Sequence, residues 1–455
     1  MQHIHDLLDL RAVTPVFQPL IDLAGGHVVG YEALSRGPAG TPWESPLALF
    51  AEARAAGREA ELDWICRAVA YRAALAANLG PELTLFVNME PTAWRSGCPA
   101  DLVPVVQQAR SRLRVVTEMT ERAIAADPAA LLSAAENCRE AGWGVALDDV
   151  GADPMSLALM PFVHPDVVKL DMGLLHAPDH PDTARVVAAV SAYAESSGAV
   201  ILAEGIETER HLALARTMGA TIGQGWYFGR PAPLPYRDAT PLPPAAPSRW
   251  DAALTAASSR PETAALSRWE ASAAARSGSM SVARPSVPLL TPPGRGDRTP
   301  FELVSAVRPV TRATKAQLMP LSRHLEALAG TGPEPPVLLA CFQEARHFTA
   351  RTAVRFARVA AHSPLVAALG VGLPPEPAPG VRGAELGDDR LRGEWNVIVV
   401  GPHRAAALVA RDLGDAGPDS ERRFEFALTH DRSLAAEAAR SLLHHLAPLN
   451  LPALL

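Results

Sequence analysis

Short apolar runs rich in β-branched residues alternate with Ala-rich amphipathic stretches along the first half of the chain. This alternation predicts strands joined by helical crossovers, as in a largely parallel sheet. The predicted strands are Val16–Leu20, Val28–Ala33, Leu83–Val87, Arg114–Glu118, Gly144–Leu147, Val167–Leu170, Val200–Ala203 and a last strand near Gln224–Phe228. The predicted helices include Leu62–Asn78, Pro128–Ala141, Thr183–Ser197 and Glu207–Met218. About eight strands in about 235 residues predict a TIM-like (β/α)8-type barrel, and a doubly wound open sheet is the alternative.

The pattern changes after residue 235. Residues 236–298 are rich in Pro, Ala and Ser, which predicts a semi-rigid, exposed linker. Globular patterning resumes over 299–448 and predicts a second, smaller α/β or α+β domain. Its predicted elements are a helix at Phe301–Leu328, a strand at Val337–Phe342, a helix at Phe348–Ala361, strands at Leu365–Leu369, Trp395–Val400 and Phe424–Thr429, and a closing helix at Ser433–Leu446.

Composition excludes several classes of protein. With 48% apolar residues among 455, the chain is not wholly disordered, and a net charge of −7 argues against a general DNA-binding protein. The N-terminus has no secretory pattern, and no uncharged apolar run reaches the roughly 18 residues of a membrane span. The four widely spaced cysteines form no C-x-x-C pair and are expected to be reduced. We therefore expect a cytoplasmic protein.

Lysine is almost absent from the sequence. Of the 42 Lys and Arg residues, only Lys169 and Lys315 are lysine. Arg can replace Lys on most solvated surfaces, but not where a compact ammonium is required. Lys169, in a predicted strand, is therefore a candidate functional residue, with an ordinary ion pair as the alternative interpretation. For Lys315 chance is a sufficient explanation.

Acidic or amide side chains stand at or near the ends of six predicted strands. They are Glu32, Asn88, Glu118, Glu121, Asp148, Asp149, Asp171, Glu204 and Glu207. In a barrel these ends converge on the face that holds the active site. Carboxylates brought so close repel one another unless cations neutralise them, and oxygen ligands suit Mg²⁺ or Mn²⁺ rather than zinc. One acidic residue at a strand end is most often a helix N-cap or a solvated group. Six strands in series favour a metal cluster.

The consecutive pair Asp148 and Asp149, after the apolar run Val145–Leu147, is the strongest local signal. Neighbouring carboxylates can bridge two cations, which clamp the attacking and leaving oxygens of a phosphoryl displacement. Lys169 is expected on the same face, where its ammonium could orient or help deprotonate a nucleophilic water, or hold a phosphate oxygen.

Eight motifs in series then identify a resemblance. The segments FQPLIDL, GYEALSRG, LFVNMEP, VTEMTE, ALDDVG, VVKLD, AEGIET and QGWYFGRP resemble, in order, those of EAL domains, the cyclic di-GMP phosphodiesterase family. The name-giving triplet is Glu32-Ala33-Leu34. The resemblance implies a TIM-like barrel that linearises cyclic di-GMP to pGpG with two Mg²⁺ or Mn²⁺ ions. It also implies a homodimer through the barrel.

The resemblance implies a role for each matched residue. Glu32, Asn88, Glu118 and Asp148 match ligands of one cation, and Asp149 with Asp148 the bridge to a second. Glu32, Lys169 and Glu204 match the catalytic group, with Lys169 contacting the nucleophilic water and Glu204 ordering the metal–water centre. Gln18 and Arg36 match substrate contacts, Gln224 a glutamine before the last strand that holds the site, and Glu121 a glutamate that steadies the loop after the Asp pair.

The loop after the Asp pair departs from the family pattern. EAL domains usually read D-F-G-T-G-Y-S-S there, whereas residues 149–156 read D-V-G-A-D-P-M-S. Loss of the aromatic and of the second Gly, with a gained Pro154, predicts a stiffer loop. Because every ligand position is retained, we expect catalysis. A slow or inactive receptor of cyclic di-GMP, or a scaffold acting through protein contacts, is the alternative.

The C-terminal domain resembles the DICT sensory domain. The stretches FELVSAVRPVTRATKAQL and ACFQEARHFTARTAVRFARVA carry this resemblance. No nucleophile, metal spacing or phosphate loop is evident there, so we expect it to regulate the barrel in response to an unknown signal or partner. Buried packing is the favoured interpretation of Trp395 and His403, and a ligand pocket lined by them is the alternative.

Overall fold

Eight strands of the first half of the chain pair in sequence order and close into a barrel in the computed structural model. The structure describes residues 3–120, 127–152, 157–236, 298–330, 336–387 and 389–446. The barrel strands are β1 (Thr14–Asp22), β2 (Val28–Arg36), β3 (Thr84–Asn88), β4 (Arg114–Thr120), β5 (Gly144–Val150), β6 (Val167–Leu170), β7 (Val200–Ala203) and β8 (Ile222–Gly223). The TIM-like barrel is confirmed, and the open-sheet alternative is wrong because β8 pairs with β1.

One strand of the barrel departs from the parallel arrangement. Strands β2 to β8 run parallel to their neighbours, whereas β1 is antiparallel to both β2 and β8. The connection from β1 to β2 is too short for a helical crossover, so it can only reverse the chain. The barrel interior is filled by apolar side chains such as Leu20, Phe86, Val116 and Leu202. This packed core holds the strand ends in fixed register.

The helices of this half alternate with the strands as predicted. They are α1 (Ile4–Asp9), α2 (Pro46–Ala55), α3 (Glu59–Ala76), α4 (Val103–Arg112), α5 (Pro128–Glu140), α6 (Met160–Val163), α7 (Met172–His176), α8 (Pro181–Ser197) and α9 (Glu209–Thr217), with a 3₁₀ turn at Pro91–Ser96. Apolar periodicity and Pro in the first turn, as in α2 and α8, account for where they form.

The last barrel strand lies earlier than predicted. β8 is Ile222–Gly223, and the predicted segment Gln224–Phe228 forms a turn in which the Phe228 N–H donates to the Gly225 carbonyl. Gly225 has φ +153°, and a Cβ there would lie 2.1 Å from the Ile206 carbonyl oxygen. Only glycine fits so close to the Ile206 carbonyl, so the chain turns at Gly225. Gln224 therefore follows the last strand, whereas it was predicted to precede it.

The second compact unit contains a seven-stranded mixed sheet in the order β12-β11-β10-β13-β14-β15-β9. Its strands are β9 (Thr311–Thr314), β10 (Val337–Glu344), β11 (Val366–Val371), β12 (Arg382–Ala384), β13 (Glu394–Val400), β14 (Ala405–Asp412) and β15 (Arg423–Thr429). Its helices are α10 (Pro300–Ser305), α11 (Lys315–Ala329), α12 (Ala350–Ala360), α13 (Asp389–Arg392) and α14 (Arg432–Leu443). This is the predicted separate, smaller α/β or α+β domain.

Two segments from the first half of the sequence belong to this second unit. They are described over residues 127–133 and 157–164, which follow β4 and β5 in the chain. Helix α6, in the second segment, contacts α14, and the buried Arg440 guanidinium donates to the Phe162 carbonyl. Burial lowers the pKa of Arg382, and the Asp127 carboxylate from the first segment opposes this shift. The unit is therefore discontinuous in sequence.

One predicted element of the second unit is wrong, and two of its strands were missed. The continuous helix Phe301–Leu328 is instead α10, the edge strand β9 and α11, and strands β12 and β14 were not predicted.

Residues 237–297, which hold nearly all of the predicted linker, lie outside the described residues. The boundaries at 235, 298 and 448 stay predictions. Within the described ranges, no helix has the length and apolar character that a membrane crossing requires.

Candidate active site

The strand register brings the predicted acidic cluster together at the C-terminal ends of the barrel strands. Asn88 at the end of β3 is paired with Glu118 of β4, and Thr120 of β4 with Asp148 of β5. Glu32 of β2 is paired with Gln18 of β1. Because paired residues on neighbouring strands lie at the same level of the sheet, residues at these register positions share one end of the barrel.

Lys169 is the centre of this cluster. Its side chain, on β6, is fully buried, and its Nζ lies 2.7 Å from Glu118 Oε1 and 2.7 Å from Glu204 Oε1. The same Nζ lies 2.9 Å from Asp148 Oδ1 and 3.8 Å from Glu32 Oε1. One ammonium therefore faces four carboxyl groups, and the cluster carries an excess of negative charge whenever all four are ionised.

Burial and mutual repulsion shift the pKa values of the cluster. Burial raises the pKa of Glu118 well above its usual value, and the Glu32 and Asp148 charges add to this shift although Lys169 opposes it. Burial likewise raises the pKa of Glu204 to about 8, again against the attraction of Lys169. Burial disfavours the Lys169 ammonium, but the surrounding carboxylates outweigh it and hold the Lys169 pKa well above its usual value. The cluster favours additional positive charge.

The donor set fits a divalent cation. Carboxylate oxygens of Asp148, Asp149 and Glu204 lie within 4.8 Å of one another. Glu118 Oε2 is buried and accepts no hydrogen bond within the described part of the chain. Asp149 lies in the left-handed region with φ +56°, and its N–H donates to Asp148 Oδ1 at 2.9 Å. This backbone conformation presents the two consecutive carboxylates to one site, as Mg²⁺ or Mn²⁺ coordination by oxygen requires.

Two amide side chains donate to the Glu32 carboxylate, and a third supports one of them. Gln224 Nε2 donates to Glu32 Oε2 at 2.5 Å and to Gln18 Oε1 at 3.1 Å, and Asn88 Nδ2 donates to Glu32 Oε1 at 3.2 Å. Gln18 in turn donates to the Gly229 carbonyl at 3.1 Å. Glu32 is thus held in one orientation by two hydrogen bonds, one from β3 and one from the turn after β8, and Gln18 holds the Gln224 amide in place.

Of the other predicted residues, Arg36 and Asp171 make other contacts, and Glu121 is not described. The Arg36 guanidinium, at the end of β2, donates to the Ser35 carbonyl and makes no direct contact with the carboxylates among the described interactions. Asp171 caps helix α7 by accepting from the Gly173 N–H, which is the N-cap alternative considered for single acidic residues. Glu121 and residues 153–156 of the loop that follows the Asp pair lie outside the described residues.

A buried ion pair beside the cluster was missed by the sequence analysis. Asp63 and Arg67, four residues apart on α3, are both almost fully buried and hydrogen-bonded to each other. Asp63 Oδ1 also accepts from the Glu90 N–H at 2.9 Å. Both side chains line a cavity of about 310 Å³ together with Asn88 and Glu118. The available signal was one Asp and one Arg, spaced i and i+4, inside an otherwise apolar stretch of helix.

Two family models match the chain. The model described as "EAL domain" matches residues 1–231, just over half of the 455 residues. The model described as "Sensory domain in DIguanylate Cyclases and Two-component system" matches residues 302–413.

The first half of the chain is also similar to individual proteins. It is 28% identical over 234 residues to the probable cyclic di-GMP phosphodiesterase PdeB of Escherichia coli K12, covering 50% of this chain and 45% of that protein. It is 27% identical over 238 residues to the cyclic di-GMP phosphodiesterase RocR of Pseudomonas aeruginosa, covering 50% and 59%. The match spans about half the length of these relatives. A solved complex of Klebsiella pneumoniae BlrP1 with manganese and cyclic di-GMP has a TM-score of 0.43 at 27% identity, covering 49% of this chain and 56% of that one.

Proposed function

Because the chain belongs to the EAL domain family, and carries a DICT sensory domain after it, we propose that it hydrolyses cyclic di-GMP to linear pGpG. The observation that carries this proposal is the buried cluster of Glu32, Glu118, Asp148 and Glu204 around Lys169. One lysine does not neutralise four carboxylates, and a divalent cation with a phosphate ligand would complete the charge balance.

Five residues are proposed to hold one or two Mg²⁺ or Mn²⁺ ions: Glu32, Asn88, Glu118, Asp148 and Asp149. Such cations activate water and neutralise the charge that develops on phosphate oxygens during displacement. Gln18 and Gln224 keep the Glu32 carboxylate oriented toward the cluster through their hydrogen bonds. Holding ligands in place before substrate binds reduces the reorganisation needed in the transition state.

Lys169 and Glu204 are proposed to position the attacking water. The Lys169 ammonium donates hydrogen bonds only, so it orients a water by its lone pair and stabilises a hydroxide that forms there. Glu204, whose side chain is 20% exposed and whose pKa is raised to about 8 by burial, is proposed to order the water from the solvent side. Arg36 is proposed to leave its Ser35 contact and pair with a substrate phosphate, for which a guanidinium is well suited.

The second unit is proposed to regulate this activity. Two observations support this role. The family model that matches residues 302–413 describes a sensory domain. Residues 157–164, which follow the Asp148–Asp149 pair by only a few positions in the chain, belong to the second unit. A change in the second unit therefore acts on a segment close in sequence to two proposed metal ligands.

The second candidate function is a receptor that binds cyclic di-GMP without turnover. The observation that favours it is the sequence of residues 149–156, where Val150 replaces the usual Phe, Asp153 replaces the second Gly and Pro154 replaces the usual Tyr. A scaffold that neither binds nor hydrolyses the nucleotide is the remaining alternative.

A turnover assay separates these functions. The full-length protein is incubated with cyclic di-GMP and Mg²⁺ or Mn²⁺, and pGpG is measured by chromatography. We expect Glu32→Ala to reduce turnover about 100-fold or more, since it removes a ligand and the acceptor of two amide hydrogen bonds. Glu52→Ala, at an exposed position of α2, is the matched control and should leave the rate unchanged. If calorimetry detects cyclic di-GMP binding but no pGpG forms, the protein is a receptor. If the protein neither binds nor hydrolyses the nucleotide, the scaffold function remains.

A further inference from the structure

A second cavity, of about 580 Å³, lies entirely within the second unit. Its size is within the range of small-molecule sites, roughly 300–1,000 Å³. Phe342, Trp395 and Phe424, from three strands of the sheet, contribute an apolar wall, and each is at most 7% exposed. Trp395 and Phe424 pack edge to face with ring centroids 5.6 Å apart. Trp395 is thus buried, as the favoured interpretation had it, and also lines this cavity, whereas His403 lines a different cavity.

In contrast to the apolar wall, the rim of this cavity is rich in positive charge. Five cationic side chains line it against two carboxylates, Glu326 and Asp419. Lys315 pairs with Asp419 at 2.5 Å and Arg355 with Glu326 at 2.7 Å. Arg346 pairs with Glu344 at 2.9 Å.

Two rim arginines remain unpaired. The side chains of Arg323 and Arg351 make no hydrogen bond or ion pair within the described part of the chain, and both residues are exposed. The cavity therefore offers two guanidinium groups whose hydrogen-bonding capacity a ligand can use. His347 also lines the cavity, and burial lowers its pKa, so it adds no charge near neutral pH.

The helix geometry adds donors at the same place. Residues Thr349–Thr352, the N-cap and first turn of the 11-residue helix α12, line the cavity. Thr349 Oγ1 accepts from the Thr352 N–H, but the N–H groups of Ala350 and Arg351 have no acceptor in the described ranges. Free first-turn N–H groups and the helix dipole favour an anion.

A strained residue forms part of the wall. Gln343 is 6% exposed and has φ +64° inside strand β10, where the pairing with β11 shifts register between Cys341 and Glu344. A residue other than Gly in the left-handed region is strained, and such strain is concentrated at ligand sites. The bulge places Gln343 at the wall of the cavity instead of within the regular ladder.

We propose that this cavity binds an organic anion that carries an aromatic ring, with the ring against Phe342 and Trp395 and the acidic group at Arg323, Arg351 and the first turn of α12. Carboxylate, phosphate and sulfonate share the required chemistry. The proposal rests on the second unit alone, so binding can be tested without any turnover by the barrel.

The test uses a matched pair of fluorescent probes with the full-length protein. 8-Anilinonaphthalene-1-sulfonate carries the aromatic body and the acidic group, and N-phenyl-1-naphthylamine carries the aromatic body alone. We expect saturable binding of the sulfonate at one per chain, about tenfold tighter than the neutral probe, since charge-assisted hydrogen bonds favour it. Raising the salt concentration should weaken only the sulfonate.

Three variants make the result specific. Arg323→Glu combined with Arg351→Glu should abolish the preference for the sulfonate, and Arg404→Glu, an exposed arginine outside the cavity, should retain it. Ala350→Pro removes one free N–H at a helix position that tolerates Pro, and should weaken the sulfonate about twofold without changing the neutral probe. Equal affinity for the two probes, or a preference that survives the double charge reversal in a folded protein, would overturn the proposal.

Discussion

At the scale of single residues, the burial of Lys169 decides how the proposed active site behaves without its cations. The ammonium offsets the repulsion among four carboxylates, three of which lie within 2.9 Å of it. In a buried cluster, removing the one positive charge leaves several charges without compensation. Lys169 is therefore a structural residue as well as a proposed functional one.

Lys169→Met should lower the free energy of unfolding by about 3–5 kcal/mol in the presence of a chelator. Adding Mn²⁺ should restore a large part of this loss, because a ligand that binds only the folded state stabilises it. Lys315→Met is the matched control, since its pair with the exposed Asp419 contributes about 1 kcal/mol or less. Urea unfolding with and without Mn²⁺ measures both. Equal losses in the two variants would contradict the central position of Lys169.

Asp149 combines a strained backbone with a proposed ligand, and substitutions can separate the two. Asp149→Gly should be about 1 kcal/mol more stable than Asp149→Ala, because φ +56° is free of strain only for Gly. Both variants should lose Mn²⁺ affinity to the same extent, because both lack the carboxylate. Urea unfolding and calorimetric titration with Mn²⁺ give the two readouts. If Asp149→Ala were the more stable protein, the left-handed conformation would be refuted.

At the scale of elements, helix α3 supports the site from outside the barrel. Its Asp63–Arg67 pair is buried, and Asp63 fixes the Glu90 N–H, two residues after the proposed ligand Asn88. Burial raises the pKa of Asp63 although Arg67 opposes the shift. The pair thus connects α3 to the end of β3.

Asp63→Ala should destabilise the protein by about 3–5 kcal/mol, since it leaves the Arg67 charge buried without its partner. The double variant Asp63→Leu with Arg67→Met should recover at least half of that loss. Glu59→Ala, which breaks the more exposed pair with Arg54, should cost about 1 kcal/mol or less. A double-mutant series in urea measures these values, and a double variant as unstable as Asp63→Ala would argue against a coupled pair.

Some strands could be predicted from the sequence alone, and others are determined by their neighbours in the sheet. Strand β7, VILA, is buried on both faces and appears as a continuous apolar run, and β6 is interrupted only by Lys169; the predicted bounds of both match the observed ones. Strand β9 has only exposed or half-buried residues, and pairing with the distant β15 alone determines it. Strand β14, AAALVARD, has a composition typical of helices and becomes a strand because β13 and β15 flank it.

The candidate site was more predictable than the edges of the sheets. Acidic residues at successive strand ends must converge in a barrel, so Glu118, Asp148 and Glu204 follow from the topology. The hydrogen bonds of Gln224 to Glu32 and Gln18 depend on a turn after β8 that no local pattern specifies. Asp63 and Arg67 were missed because burial of an ion pair on a helix is a tertiary property.

At the scale of the whole molecule, the division into units does not follow the order of the sequence. Residues 127–133 and 157–164 belong to the second unit, and Arg440 of α14 donates to the Phe162 carbonyl within it. The bounds of the compact units therefore differ from those of the family matches, because the EAL match runs continuously over residues 1–231. Removing the C-terminal residues would also remove the packing partners of α6.

Arg440→Leu should lower the free energy of unfolding by about 1–3 kcal/mol, because the buried Phe162 carbonyl loses a donor. The matched control is Arg358→Leu, an exposed position of α12, which should change stability by about 0.5 kcal/mol or less. Thermal or urea unfolding of the full chain provides the measurement. Indistinguishable variants would mean that this hydrogen bond does not hold the two segments together.

The different exposure of the two lysines has a practical consequence for labelling. Lys169 is buried among carboxylates, whereas the Lys315 side chain is 17% exposed and lines the cavity of the second unit. An amine-reactive dye applied under native conditions should thus modify Lys315, apart from any α-amino group, and leave Lys169 untouched. A single conjugation without mutagenesis would place a reporter at the mouth of the proposed anion site, while the barrel keeps its native side chains.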